Sequence, residues 1–146
     1  KNTYDICEYL YEKLQSSNQD LLYPIKNFNG VTVHISCHSR AQNIGQKAND
    51  LLRLIPELKV DVIERCSGHG GSWGVKKGNF DLALKVGKPV SRKTIQFENE
   101  YLVSECPLAG VHIKQGVNKL DEKQIIKTLS HPIEIIERSL FNSEES

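Results

Sequence analysis

The sequence predicts an α/β domain: a small, mainly parallel sheet with flanking helices and three cysteines at the carboxyl ends of its strands. Three observations carry this. Short β-branched runs occupy residues 31–36, 59–65 and 101–105, and each leads directly into a cysteine: Cys37, Cys66 and Cys106. Helix-patterned stretches separate the runs, and parallel strands need such crossovers. In a parallel sheet the carboxyl ends of the strands open on one crevice, where ligands bind. Thiols separated by 28 and 39 residues of chain are thereby expected to converge.

The elements follow in order. Residues 3–15 read as an amphipathic helix capped by Asn2 or Thr3, with Tyr4, Ile6, Cys7, Leu10, Tyr11 and Leu14 on one stripe. Cys7 belongs to that stripe and reads as a small buried hydrophobe rather than a ligand. A polar, turn-rich stretch ends at Asn29-Gly30 and leads into the first strand. After Cys37 a helix is expected with Ile44, Ala48, Leu51, Leu52 and Ile55 on one side, stopped by Pro56. The second strand ends at Cys66, and a glycine-dense loop follows at 67–72. A helical stretch then carries Trp73, Val75, Phe80, Leu82, Leu84 and Val86. Pro89 is expected to interrupt it, with a second short helix to about residue 97. Beyond the third strand, Pro107 suits the first turn of a helix bearing Val111 and Ile113. A loop is expected at 118–121, and Pro132 opens a last amphipathic helix through Ile133, Ile135, Ile136 and Leu140. The acidic tail at 142–146 is expected to fray.

Bulk properties narrow the function classes. The 146 residues suit a single domain, and 38% hydrophobic and 25% charged residues are ordinary for a globular protein. A formal charge of +1 gives no reason to expect nucleic acid as a partner. No apolar run approaches the roughly 18–20 residues needed to span a bilayer, and the first residues do not resemble a signal peptide. A cytoplasmic location is expected, with peripheral membrane association through partners. The chain starts at Lys1 and contains no Met, the pattern expected of a domain excised from a longer protein. Without a secretory signal, its four cysteines are read as free or metal-bound thiols rather than disulfides.

Each strand-end cysteine has its own surroundings. His34 and His38 flank the first. Gly68, Gly70 and Gly71 follow the second and can turn backbone N–H groups toward sulfur, a device that stabilises thiolates. Cys106 precedes Pro107 at a helix start, where the dipole favours an anion. Three converging thiols are a soft-metal site, with iron–sulfur the first candidate and coincidental buried cysteines the bland alternative.

Four blocks in order add a resemblance: His34-x-x-Cys37-His38; Cys66-Ser67-Gly68-x-x-Gly71-x-Trp73-Gly74-Val75-Lys76-Lys77; Gly87-Lys88-Pro89; and Ser104-x-Cys106-Pro107-x-Ala109. Together with His131-Pro132-Ile133-Glu134, they resemble one cysteine-rich "CCG" domain of heterodisulfide reductase-type iron–sulfur subunits. The likeness is to the C-terminal repeat in proteins like the iron–sulfur subunit of anaerobic glycerol-3-phosphate dehydrogenase, and it covers residues 30–141. It implies an electron-transfer module of a larger oxidoreductase. It further implies an N-terminal ferredoxin-like domain, a second CCG repeat, a dehydrogenase or flavin partner subunit, and a quinone or thiol acceptor. Two family cysteines are replaced here, by Ser67 and by Ala109. Three thiolates suit a [3Fe–4S] centre, a [4Fe–4S] cube with another ligand on its fourth iron, or zinc completed by a histidine.

For that further position His69 ranks first, then His38, then Ser67, because an alcohol ligates poorly unless deprotonated. His34 reads equally well as a buried histidine bonded to backbone. His112 and His131 read as a helix-face and a helix-start residue, Trp73 as packed beneath the glycine loop, and Lys76 and Lys77 as a solvated face. The rival function is a degenerate, metal-free or zinc-holding repeat acting as a structural or docking module. Thiol–disulfide exchange is a third reading, disfavoured by the lack of a Cys-x-x-Cys pair.

Overall fold

A computed structural model describes residues 3–17 and 21–141. The proposed Asn2 cap and the tail at 142–146 lie outside the described residues. Four strands, β1 (Val31–His34), β2 (Val60–Ile63), β3 (Tyr101–Ser104) and β4 (Thr128–Ser130), form one sheet of order β2-β1-β3-β4 with every pair parallel. Six helices accompany them: α1 (Ile6–Ser16), α2 (Cys37–Ala41), α3 (Lys47–Leu52), α4 (Phe80–Phe97), α5 (Pro107–Leu120) and α6 (Pro132–Phe141).

Strand order explains the layering. From β1 the chain first steps outward to β2, then recrosses β1 to reach β3 and continues to β4. Right-handed crossovers must therefore place helices on one face for the first step and on the other for the next two. Val31, Val33 and Val103 pack with Cys7 of α1, Leu51 and Leu52 of α3, and Ile135 and Ile136 of α6. On the opposite face Ile63 and Leu102 pack with Val90 of α4 and Ile113 and Val117 of α5. All four residues of the central strand β1 are buried.

Several expectations are corrected. Helix α1 runs over 6–16 rather than 3–15, because the Asp5 carboxylate caps it by accepting from the N–H groups of Cys7 (2.8 Å) and Glu8 (3.4 Å). The single helix expected after Cys37 is two short ones, separated where Asn43 and Gly45 take positive φ. Trp73 and Val75 lie in turns, and α4 begins only at Phe80. Pro89 does not interrupt α4. The helix continues through it, and the missing N–H denies the Lys85 carbonyl its helical donor. Helix α5 extends through the expected loop to Leu120, and β4 was not expected.

Candidate metal centre

The register aligns His34 with both Ile63 and Ser104, so three adjacent strands end at one level. Cys37 and Cys66 each lie three residues beyond that level and Cys106 two beyond it. Neighbouring strands are about 4.8 Å apart, which brings the three loops together at the carboxyl edge of the sheet. The order in which strands are added to the sheet reverses between β1 and β3, and such a switch point is where open α/β sheets form their ligand crevice. Cys37 and Cys106 sit on its two sides. All three thiols are free; Cys37 and Cys66 are exposed and Cys106 is half-buried.

Local structure supplies each sulfur with a donor. Cys106 is the N-cap of α5, followed by Pro107, with no side chain capping that helix end. The residue lies at the positive end of the α5 dipole, although its thiol makes no capping hydrogen bond to the helix. Gly68 N–H points at Cys66 Sγ over 3.4 Å, and Arg40 Nη2 lies 3.8 Å from Cys37 Sγ. His69 approaches Cys106 most closely, with Nε2 3.6 Å from Sγ. The Gly71 N–H donates to His69 Nδ1 at 3.3 Å. Nδ1 is then an acceptor, so the proton of the neutral ring is on Nε2 and points at Cys106. Desolvation and then the neighbouring His112 hold the His69 pKa below its ordinary value, which keeps the ring neutral at pH 7.

The glycines serve packing as well as hydrogen bonding. At Gly68, φ is +92°, and an added Cβ would lie 2.3 Å from the Ala83 carbonyl oxygen. A Cβ on Gly87 would lie 2.2 Å from the Ser67 carbonyl oxygen. The Cys66 loop thus rests directly on the α4 backbone. Ser67 is buried in that contact while its neighbour Cys66 is exposed. The Trp73 ring packs against Gly70, yet Trp73 remains 41% exposed. His38 is exposed, with Nε2 3.2 Å from Ser36 Oγ.

A second network, not anticipated from the sequence, joins the loops from behind. Ser39 Oγ donates to Glu105 Oε2 at 2.5 Å and is 2.7 Å from Ser36 Oγ. The Cys7 thiol also bonds to Glu105, and burial followed by the charge of Glu105 pushes its pKa far up, so it keeps its proton. Among the described residues, Asp5, Cys7 and Glu105 are the one set of three possible ligands whose donor atoms all lie within 4.8 Å of one another. Asp5 is engaged as the α1 cap and Cys7 as a donor, so this set latches α1 to the Cys106 loop. His112 is 2% exposed, and neither ring nitrogen has a hydrogen-bond partner among the described residues. Its ring lies edge-on to Phe80 (5.9 Å) and 6.4 Å from that of His69. His131 starts α6: its N–H donates to Glu134 Oε1 at 2.9 Å, and its Nδ1 accepts from the Ile133 N–H at 3.3 Å.

Comparison with known proteins identifies relatives that are named as iron–sulfur proteins or as subunits of oxidoreductases. The chain is 33% identical over 98 residues to an uncharacterised iron–sulfur protein of Methanocaldococcus jannaschii, matching 66% of this chain and 20% of that one. It is 26% identical over 111 residues to one subunit of the anaerobic glycerol-3-phosphate dehydrogenase of Escherichia coli (75% and 26%). Over 142 residues it is 26% identical to one subunit of the dihydromethanophenazine:CoB–CoM heterodisulfide reductase of Methanosarcina barkeri (92% and 33%). The chain is related to the heterodisulfide reductase-type iron–sulfur proteins. It spans only a fifth to a third of the length of these relatives. No protein-family model matches it, and no solved structure matches it significantly. Among the described residues no helix is long and apolar enough to cross a membrane.

The spacing of the three thiols suits an iron–sulfur cluster better than a single ion. Zn–S bonds of about 2.3 Å would bring two thiolates on one zinc to within about 3.8 Å of each other. The three strand-end thiols do not form a set within 4.8 Å. Thiolates bound to different irons of a cluster sit further apart, and the N–H groups aimed at Cys66 and Cys106 are the donors such thiolates need.

Proposed function

We propose that this chain is an iron–sulfur electron-transfer module of a multidomain or multisubunit oxidoreductase, holding a [4Fe–4S] or [3Fe–4S] centre through Cys37, Cys66 and Cys106. The observation that carries this is the arrival of three free thiols at the carboxyl ends of three adjacent strands, around the switch point between β1 and β3. When bound, the cluster supplies one-electron transfer. The chain's own residues hold the thiolates, direct N–H groups at sulfur and keep a neutral imidazole beside Cys106. His69 acts as a hydrogen-bond donor to that sulfur rather than as a ligand, because the Gly71 N–H already occupies its only other nitrogen. A further ligand comes from His38, from Ser67 or from outside the chain.

Relatives named as parts of a dehydrogenase and of a heterodisulfide reductase support a place among partner subunits. The expected partners are a ferredoxin-like domain and a second CCG repeat of the same chain, and a dehydrogenase or flavin subunit. The electrons pass on to a quinone or thiol acceptor. The setting is cytoplasmic, at the inner face of a membrane through those partners.

Anaerobic reconstitution followed by iron, sulfide and zinc analysis tests the reading. Iron and sulfide should appear together with an EPR signal in one redox state, and Cys37→Ala, Cys66→Ala and Cys106→Ala should each remove most of both. Near-stoichiometric zinc without sulfide would overturn the proposal in favour of a zinc-holding structural repeat.

A further inference from the structure

The whole chain is nearly neutral at +1, but its charge is not evenly spread. A groove of about 610 Å³ between β2 and α4 is lined by Arg65, Lys85, Lys88, Arg92 and Lys93, against one carboxylate, Glu64. Lys85, Lys88 and Arg92 fall three and four residues apart along α4, so their charges share one face. Like charges at that spacing weaken a helix. Among the described residues none of the five cations joins an ion pair. Glu64 is already engaged by Gln46 at 2.9 Å.

The same groove has an open backbone edge. β2 is the outermost strand on its side of the sheet. Val31 N–H donates to the Lys59 carbonyl and Ile35 N–H to the Ile63 carbonyl, which turns the odd-numbered residues of β2 toward β1. The N–H and C=O of Val62 therefore face outward, beside the cations. Further up the strand, Arg53 Nη2 occupies the Val60 carbonyl at 3.1 Å, so that end of the edge is covered. An unpaired strand edge is a template for another strand.

We propose that this groove docks an acidic, extended segment of a partner polypeptide, which pairs with the backbone of Val62 and sets its carboxylates against Lys85, Lys88 and Arg92. A small anion would use the charge and leave the strand edge unpaired. A nucleic acid offers no strand to add. An extended acidic peptide satisfies both features. Its site lies immediately before Cys66, so a docked partner is delivered to the margin of the thiol crevice. The proposal rests on charge and backbone geometry and stands whether or not a cluster is bound.

Fluorescence anisotropy with a short labelled peptide of alternating glutamate and valine tests it on the 146-residue chain. Binding should weaken steeply with salt and fall at least about tenfold in the Lys85→Glu/Lys88→Glu/Arg92→Glu variant. A Lys76→Glu/Lys77→Glu control should bind as wild type. Hydrogen exchange at the Val62 amide should slow when the peptide is present. A glutamate–proline peptide, which keeps charge but cannot pair as a strand, should bind more weakly. The neutralised Lys85→Gln/Lys88→Gln/Arg92→Gln variant repeats the measurement should charge reversal disturb folding. Unchanged binding in the variants, equal binding of the proline peptide, or tighter binding of duplex DNA or phosphatidylglycerol vesicles would overturn the proposal.

Discussion

His34 Nε2 lies 2.8 Å from the carbonyl oxygen of Arg65, a bond that ties the central strand to the residue just before Cys66. Nε2 must carry the proton, because a carbonyl can only accept. Nδ1 then accepts from Ser104 Oγ at 3.2 Å, and Ser104 Oγ accepts in turn from the Cys106 N–H at 3.2 Å. One buried imidazole thus sets the loops of two candidate ligands relative to the strand that leads to the third.

Replacing it should be costly. His34→Leu leaves the Arg65 carbonyl without that donor and the Ser104 O–H without its acceptor, and a loss of about 1–3 kcal/mol is expected from urea unfolding. Burial chiefly holds the His34 pKa low, partly offset by the bond to the Arg65 carbonyl. The unfolded chain therefore takes up a proton first as pH falls. Stability should be full above the unfolded value of about 6.5 and decline as pH drops toward the folded value. His34→Leu should flatten that decline; His69, also held low, contributes what remains.

His69→Ala should separate ligation from hydrogen bonding. Loss of an N–H donor to Cys106 lowers the reduction potential of a bound cluster while iron and sulfide content stay near wild type. Protein-film voltammetry beside metal analysis reads both quantities. If His69→Ala loses iron as Cys66→Ala does, the histidine is a ligand.

Gly87→Ala should disturb the Cys66 loop without touching a thiol. Its new methyl group would meet the Ser67 carbonyl 2.2 Å away. A destabilisation of about 1–3 kcal/mol is expected, with a matching loss in cluster occupancy. Gly78→Ala is the control: a Cβ there meets nothing within 4 Å and should change stability by less than about 0.5 kcal/mol.

Cys7→Ala should distinguish the core cysteine from the other three. The thiol is fully buried and bonded to Glu105, so a loss of about 1–2 kcal/mol in stability is expected. Iron content per folded molecule should be unchanged, as measured on the soluble fraction.

The sequence was legible where side-chain type and position spoke together. β-Branched runs ending in cysteine located β1, β2 and β3, and the apolar stripe containing Cys7 located α1. Strand β4 was hidden because Thr128-Leu129-Ser130 is too short for a period of two to register. It exists through pairing with β3, a tertiary effect. Pro89 misled because its local cost is outweighed by α4 packing against α5 and the sheet. Glu105 and Ser39 carry no motif, and only folding brings them together. The buried role of His34 was readable from strand alternation, whereas the direction of the His69 proton depends on a single backbone N–H.

The reversal of strand order also governs when the thiols can meet. During synthesis Cys37 and Cys66 emerge first, on neighbouring strands, but Cys106 follows only after all of α4 has been made. β3 must then insert on the far side of β1, closing a long loop, before the third sulfur arrives. If the three strand-end thiols hold a cluster as proposed, the site is complete only once β3 has paired with β1, so loading is expected to follow that step rather than precede it.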